Sequence, residues 1–402
     1  MSIRLSAAHV PEVGIVDVDI DNGVITSITS AFSTSTNSEV HDLAGHVLLP
    51  GFVEPHAHLD KAFLADRVDN PEGDLLGAIQ GLEAVRESIT FEDIVSRAVT
   101  AAQLMSRNGV TSVRTHADTT EGGGLTSVLA LLEAKRLCAS FIDIQVAMLL
   151  SWPVTGADGA QNRSLALEAI AAGVDVVGGC PHLDSNPKGA VEYFLHLALE
   201  HNLPLDLHAD ENLRPSSQDL DYLAQLVNAD NIVHPLTASH CVSLSIQDLT
   251  TVQSTAERVA AAGINIVALP HTNLFLQGRD VPTSTPRGIT PVTILKKAGV
   301  NVAAGADNVQ DPFNPMGRAD PLETASLMVL ASHQLPNEAI TMVTTNASKV
   351  VHNRSSSIEV GQRANLVAVP ATNLREAIAM GPPDRFVVYG GVVISNQKRN
   401  IK

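Results

Sequence analysis

The chain has 402 residues, 45% of them hydrophobic but only 3% aromatic, and a formal net charge of −17 with its histidines neutral. That length and aliphatic bias suit a large α/β domain with a minor lobe, and an acidic chain with no Lys/Arg cluster excludes a nucleic-acid-binding face. Cys138, Cys180 and Cys241 form no C-x-x-C pair, which excludes a structural zinc knot.

From the N-terminus, IRLSAAHV, GIVDVDIDNGVITSI and HVLL read as short strands, with Asp21-Asn22-Gly23 as a hairpin turn and SAFSTSTNSEV as loop. The middle of the chain alternates. Aliphatic strands are expected at 46–56, 109–116, 142–150, 174–180, 203–210, 231–240, 264–271 and 300–307. Helical stretches separate them, such as LEAVRESITFEDIVSRAVTAAQLMSRNG, SLALEAIAAG and AVEYFLHLALEHN. Eight strand–helix alternations without a G-x-G-x-x-G or phosphate loop predict a closed (β/α)8 TIM barrel, not an open nucleotide-binding sheet. From Ile358 the texture returns to strands, IEVGQRANLVAVPA and DRFVVYGGVVIS, with Gly390-Gly391 as a second hairpin turn. The expected organisation is a barrel over 49–355 and a small β-sandwich lobe built from 1–48 and 356–402. No signal peptide and no apolar run of membrane-spanning length is found, so the expected location is cytoplasmic, with no membrane partner.

Catalytic side chains of such barrels project from the C-terminal ends of the strands. The expected strands end in His56-Ala-His58, His116, His208-Ala-Asp210-Glu211, His240, His271 and Asp307. Alternation of side chains puts His56 and His58 on one face, where both can reach one cation. Glu211 and Asp307 could instead cap following helices. His116 could stand behind the site or in it. Asp60 is expected to orient a metal-binding histidine, and Lys61 to lie in the pocket or on the surface.

The segments PGFVEPHAHLDKAF, LDLHADEN, TASHCVSL, LQGR followed by RGIT, and GADNVQDPFNPMG keep their order over roughly residues 45–350. Together they resemble the cytosine deaminase branch of the amidohydrolase superfamily, and the first is also similar to bacterial triazine-ring hydrolases. The resemblance implies one divalent metal, Zn²⁺ or Fe²⁺, held by His56, His58, His208 and Asp307. It implies Glu211 as the proton-carrying acid, His240 as the residue orienting the attacking water, and, by analogy alone, a homo-oligomer.

In the branch a glutamine after the third strand reads the pyrimidine edge. Here Ser151 and Trp152 stand at that place, and Asn308 and Phe313 follow Asp307. With His116 and Gln277 these are the candidate substrate contacts. The expected reaction is metal-dependent hydrolytic deamination of a small nitrogen heterocycle, cytosine or a cytosine-like cyclic amidine. Water attacks the ring carbon, Glu211 protonates the ring nitrogen, and Asp307 or Glu211 protonates the departing ammonia. Two alternatives stay open: hydrolysis of another C–N bond, in an amino-triazine, creatinine or a cyclic amide, and a non-catalytic metabolite-binding barrel.

Overall fold

In the computed structural model, which describes residues 2–31, 38–352 and 356–396, the strands run in chain order as follows. The N-terminal set is β1 (Ser2–Val10), β2 (Gly14–Asp21), β3 (Val24–Ser30), β4 (Glu39–Asp42) and β5 (His46–Pro50). Then come β6 (Phe52–Ala57), β7 (Val110–Thr119), β8 (Asp143–Leu150), β9 (Val177–Gly179), β10 (Leu205–Ala209), β11 (Leu236–His240), β12 (Asn265–Ala268) and β13 (Val302–Ala304). The C-terminal set is β14 (Leu366–Pro370), β15 (Phe386–Tyr389) and β16 (Val392–Asn396).

β6 to β13 form one parallel sheet in sequential order, with helices between the strands, which is the expected barrel. It is closed between its first and last strands by a single bridge, Ala57 to Asp307. Asp307 N donates to His56 O at 3.1 Å, and His58 N donates to Asp307 O at 3.2 Å. Below this bridge the Glu54 side chain fills the seam, accepting from the backbone N–H groups of Ala306 and His56. Gly305 must lack a side chain here, because a Cβ would stand 2.3 Å from Glu54 Oε1.

The other sheet joins both ends of the chain in the order β16-β15-β14-β5-β1-β2-β3, with β4 beside β1. It is continuously hydrogen-bonded and wraps one core that includes Leu5, Val18, Ile20, Leu48, Leu366 and Phe386. Its two-residue turns are those the sequence predicts. Asn22 and Gly23, and Gly390 and Gly391, all have positive φ, as right-twisted hairpins require.

Three expectations need revision. The run 46–56 is two strands. Its first half, β5, pairs with β14 in the terminal sheet, and Gly51 is the crossing point, where a Cβ would lie 2.5 Å from the Thr111 side chain. The long helical stretch after the first barrel strand breaks near Ile89. Thr90 caps a new helix (Phe91–Arg107) by accepting from Asp93 N, and that helix buries Ile94, Ala98, Ala101 and Met105 at helical spacing. β12 stops at Ala268, so His271 lies in a short helix and contacts Thr324, away from the other histidines. Of the expected loop over 30–40, residues 32–37 lie outside the described residues, and Glu39 and Val40 belong to β4. No helix among the described residues is long and apolar enough to cross a membrane.

Candidate active site

His56, His58, His208 and Asp307 come together from β6, β10 and the residue that closes the barrel. His56 Nε2 is 3.0 Å from His208 Nε2, and His208 Nε2 is 3.3 Å from His58 Nε2. Asp307 Oδ1 lies 3.2 Å from His58 Nε2 and 3.7 Å from His56 Nε2. Tetrahedral bonds of ~2.0–2.1 Å to one ion would space its ligand atoms about 3.3 Å apart. Both oxygens of Asp307 are buried without a hydrogen-bond partner. A converging set of nitrogen lone pairs and an unpartnered buried carboxylate fits a divalent cation and little else.

The surrounding hydrogen bonds aim these atoms. Ser239 Oγ donates to Asp206 Oδ1 and therefore accepts from His56 Nδ1 at 2.9 Å, which leaves Nε2 of His56 as a bare acceptor. Asp206 is in turn held by Arg114 at 2.8 Å. Burial and the neighbouring imidazoles push His56 and His208 well below the usual histidine range, so both are neutral and able to ligate. His182 braces the His208 carbonyl through Nδ1.

His240 Nδ1 donates to Asn273 Oδ1 at 3.1 Å. Its Nε2 is thus an acceptor, buried and unpartnered, 4.0 Å from Asp307 Oδ2. Glu211 Oε1 lies 3.5 Å from His240 Nδ1, and burial together with the Asp307 carboxylate raises Glu211 well above the usual carboxylate range. Both influences favour its protonated form. Asp210, the other acid of this segment, turns away and accepts from Ser217, Asp219 and Leu220, fixing the start of the next helix. Asp210, His240 and Asp307 all have left-handed backbone (φ 54, 68 and 66°), a strained conformation for non-glycine residues.

These groups form the floor of a cavity of about 750 Å³, counted to its open mouth. Ser151, Trp152, Asn308 and Phe313 line it, as expected. His116 and Gln277 do not. β7 runs three residues beyond His116, so that imidazole lies beneath the rim, its ring 4.0 Å from that of His56, while Gln277 reaches only the Glu211 carbonyl. Asn308 has protein partners at both ends of its amide: Thr272 donates to its Oδ1 and its Nδ2 donates to Asp311. Asp60 orients no histidine; its carboxylate accepts from the Asp118 backbone N–H. Lys61 is buried in the cavity wall and donates to Asp118 Oδ1 at 2.6 Å. Burial works against its charge, but Asp118 and Asp60 hold its pKa above the usual lysine value. Cys180 also faces the cavity; Cys138 and Cys241 are buried elsewhere.

Asp206, Ser239, Asn273 and Asp118 were not singled out from sequence. Asp118 and Ser239 carry the one available signal, a polar residue at the end of a barrel strand.

Comparison with known proteins places these features in context. A family model described as amidohydrolase family matches residues 66–397. The chain is 30% identical to a pterin deaminase of Rhizobium rhizogenes over 386 residues, 94% of this chain and 87% of that one. Its structure superposes on 5-methylcytosine deaminase from Klebsiella pneumoniae with a TM-score of 0.90 and 29% identity, over 99% of this chain and 98% of the other. N-isopropylammelide isopropylaminohydrolase from Burkholderia multivorans superposes with a TM-score of 0.86 and 25% identity, over 98% of both chains.

Proposed function

Since the chain belongs to the amidohydrolase family, we propose that it is a hydrolytic deaminase acting on an amino-substituted nitrogen heterocycle and depending on one divalent cation held by His56, His58, His208 and Asp307. The observation that carries this reading is the meeting, at the floor of one cavity, of His58, His208 and Asp307 (His56 standing against His208 behind them) with the buried carboxyl of Glu211 and an unpartnered imidazole nitrogen, His240 Nε2.

When bound, a cation of this kind supplies Lewis acidity that lowers the pKa of water to about 7. The chain's own groups do the rest. His240 Nε2 accepts a hydrogen bond from the attacking water and aims it at the ring carbon. Glu211 gives its proton to the ring nitrogen beside that carbon, which draws electron density from the C–N bond to be cleaved. As water adds, Asp307 Oδ2, within 4.0 Å of His240 Nε2, can take its proton. Amines leave only when protonated: Asp307 returns its proton to the departing nitrogen while Glu211, now a carboxylate, takes the proton of the added hydroxyl, so ammonia and the oxo-heterocycle result and both carboxyl groups are restored.

The relatives divide the chemistry. Two carry deaminase names, and the third has a name that specifies loss of isopropylamine. The deaminase reading is favoured because Glu211 is so placed that it can protonate a ring nitrogen. The test is ammonia release by metal-loaded protein from aminopyrimidines, aminopteridines, purines, amino-triazines and creatinine, with alkylamine and ring-opened products measured alongside. Glu211→Gln is expected to keep its metal and lose ~10²–10⁴-fold in turnover. Near-parental ammonia release by that variant would remove Glu211 from the mechanism.

A further inference from the structure

Deamination accounts for the floor of the cavity and leaves one stretch of its wall unexplained. Lys61, in the turn after His58, and Asp118, one residue before the end of β7, both face the space above the floor. Lys61 Nζ has three near neighbours: Asp118 Oδ1 at 2.6 Å, His58 Nδ1 at 3.2 Å, and Asp60 Oδ1 at 3.6 Å, beyond hydrogen-bond length. With Nε2 of His58 given to a cation, its Nδ1 carries the ring hydrogen and cannot accept from an ammonium. Of the three N–H groups of Lys61, one then has a protein acceptor. Asp118 Oδ1 is occupied by Lys61, and among the described residues no donor reaches its Oδ2.

A free donor and a free acceptor therefore stand side by side in a cavity whose lining includes the apolar Leu149, Leu150, Trp152 and Phe313. The amide and the outer carboxylate of the cavity wall are engaged. Asn308 is held by Thr272 and Asp311, and Glu83 and Arg86 at the mouth pair with each other through both carboxylate oxygens. Ser151 offers one hydroxyl where an edge-reading amide would be expected.

The geometry points to Lys61 and Asp118 as the pair that selects the substrate, the ammonium donating to a ring carbonyl oxygen and the carboxylate accepting from the adjacent ring N–H. The enzyme then takes amino-heterocycles that carry a lactam edge, O=C–N–H. This rests on the deaminase reading and narrows it. Both groups are largely cut off from water, so a ring lacking the edge strips their remaining hydration and returns nothing.

Binding is the readout, so the outcome does not depend on turnover. Metal-loaded protein is titrated calorimetrically with 2-pyrimidinone and lumazine, lactams with no amino group to lose, and with pyrimidine, which lacks the edge. The lactams are expected to bind at least about 100-fold more tightly than pyrimidine. Lys61→Met and Asp118→Asn should each shrink that ratio at least about tenfold with metal content unchanged. If Lys61→Met does not fold, Asp118→Asn, which keeps the lysine, decides alone. Lactams no tighter than pyrimidine in the parent, or a ratio untouched by the variants, overturns the proposal. Failure of the deaminase reading has a separate signature, the absence of ammonia from every amino-heterocycle tested.

Discussion

The barrel rim and the terminal sheet differ in where their strain falls. In the terminal sheet the hairpin turns put positive φ on Asn-Gly and Gly-Gly, and Arg4 is met by Asp19 at 2.6 Å. Ala7 at the irregularity in β1 and Glu12 in the first turn are its left-handed non-glycine exceptions. At the rim, Asp210, His240 and Asp307 hold left-handed backbone, and His240 Nε2 and both Asp307 oxygens are buried without partners. The two regions share one chain, so the contrast is not one of overall quality. At the rim His240 and Asp307 combine strain with unmet polar groups, where an ion and a substrate would be received, and the rest of the molecule carries that cost.

If this division holds, changes at the rim should remove activity and spare the fold, and changes in the terminal sheet should do the reverse. The largest effect is expected of Asp307→Asn. Asparagine tolerates left-handed backbone, so the shape is kept while an anionic ligand is lost. Metal content should fall and ammonia release drop at least ~10³-fold, yet the metal-free variant should melt no lower than the metal-free parent. A large drop in its melting temperature would break the contrast. Next is Ser239→Ala, which cuts the link between His56 and Asp206. Metal affinity, measured by competition with a chelator, should weaken ~10–100-fold. In the terminal sheet, Gly391→Ala places a Cβ 2.6 Å from Gly23 Cα at φ +80°. It should cost roughly 1–3 kcal/mol in denaturant unfolding with kcat unchanged.

The smallest effect tests a carboxyl pair just behind the rim. Burial, then the Asp210 charge, raises Asp219 to about 8. A carboxyl raised in the folded state favours folding most below its unfolded pKa, near 3.8, and that contribution is lost as pH climbs through 8. Asp219→Asn should therefore gain stability over the parent between pH 4 and 8, with the difference vanishing toward acid in paired melting curves.

The order of the barrel strands and the gathering of His56, His58, His208 and Asp307 were legible because they rest on local pattern (aliphatic runs, an H-x-H on one strand, acids and histidines at strand ends) and on the family resemblance of those segments. What could not be read depended on meetings across the barrel. β7 was expected to end at His116, but it continues to Thr119. That three-residue difference drops His116 below the ligands and lifts Asp118 to the wall, where it meets Lys61 from 57 positions earlier. Asn308 looked free to read a substrate until Thr272 and Asp311 claimed its amide. Strand periodicity tells which face a side chain shares, and it is silent on which neighbour across the sheet takes its hydrogen bond.

The single bridge between Ala57 and Asp307 bears on more than topology. Most joints of the hoop are ladders of several residues, β8 and β9 sharing only the Leu150–Gly179 pair and the Ala147–Val176 bridge, and the closing joint is made by the very segments that present the proposed ligands. An ion gripped there would act as a rivet as well as a reagent. Any motion that spreads the joint loosens the grip, and by linkage any ion that is gripped stiffens the joint. Amide exchange at positions 306–308 should accordingly slow on metal loading, making the closing of the hoop and the arming of the enzyme one event.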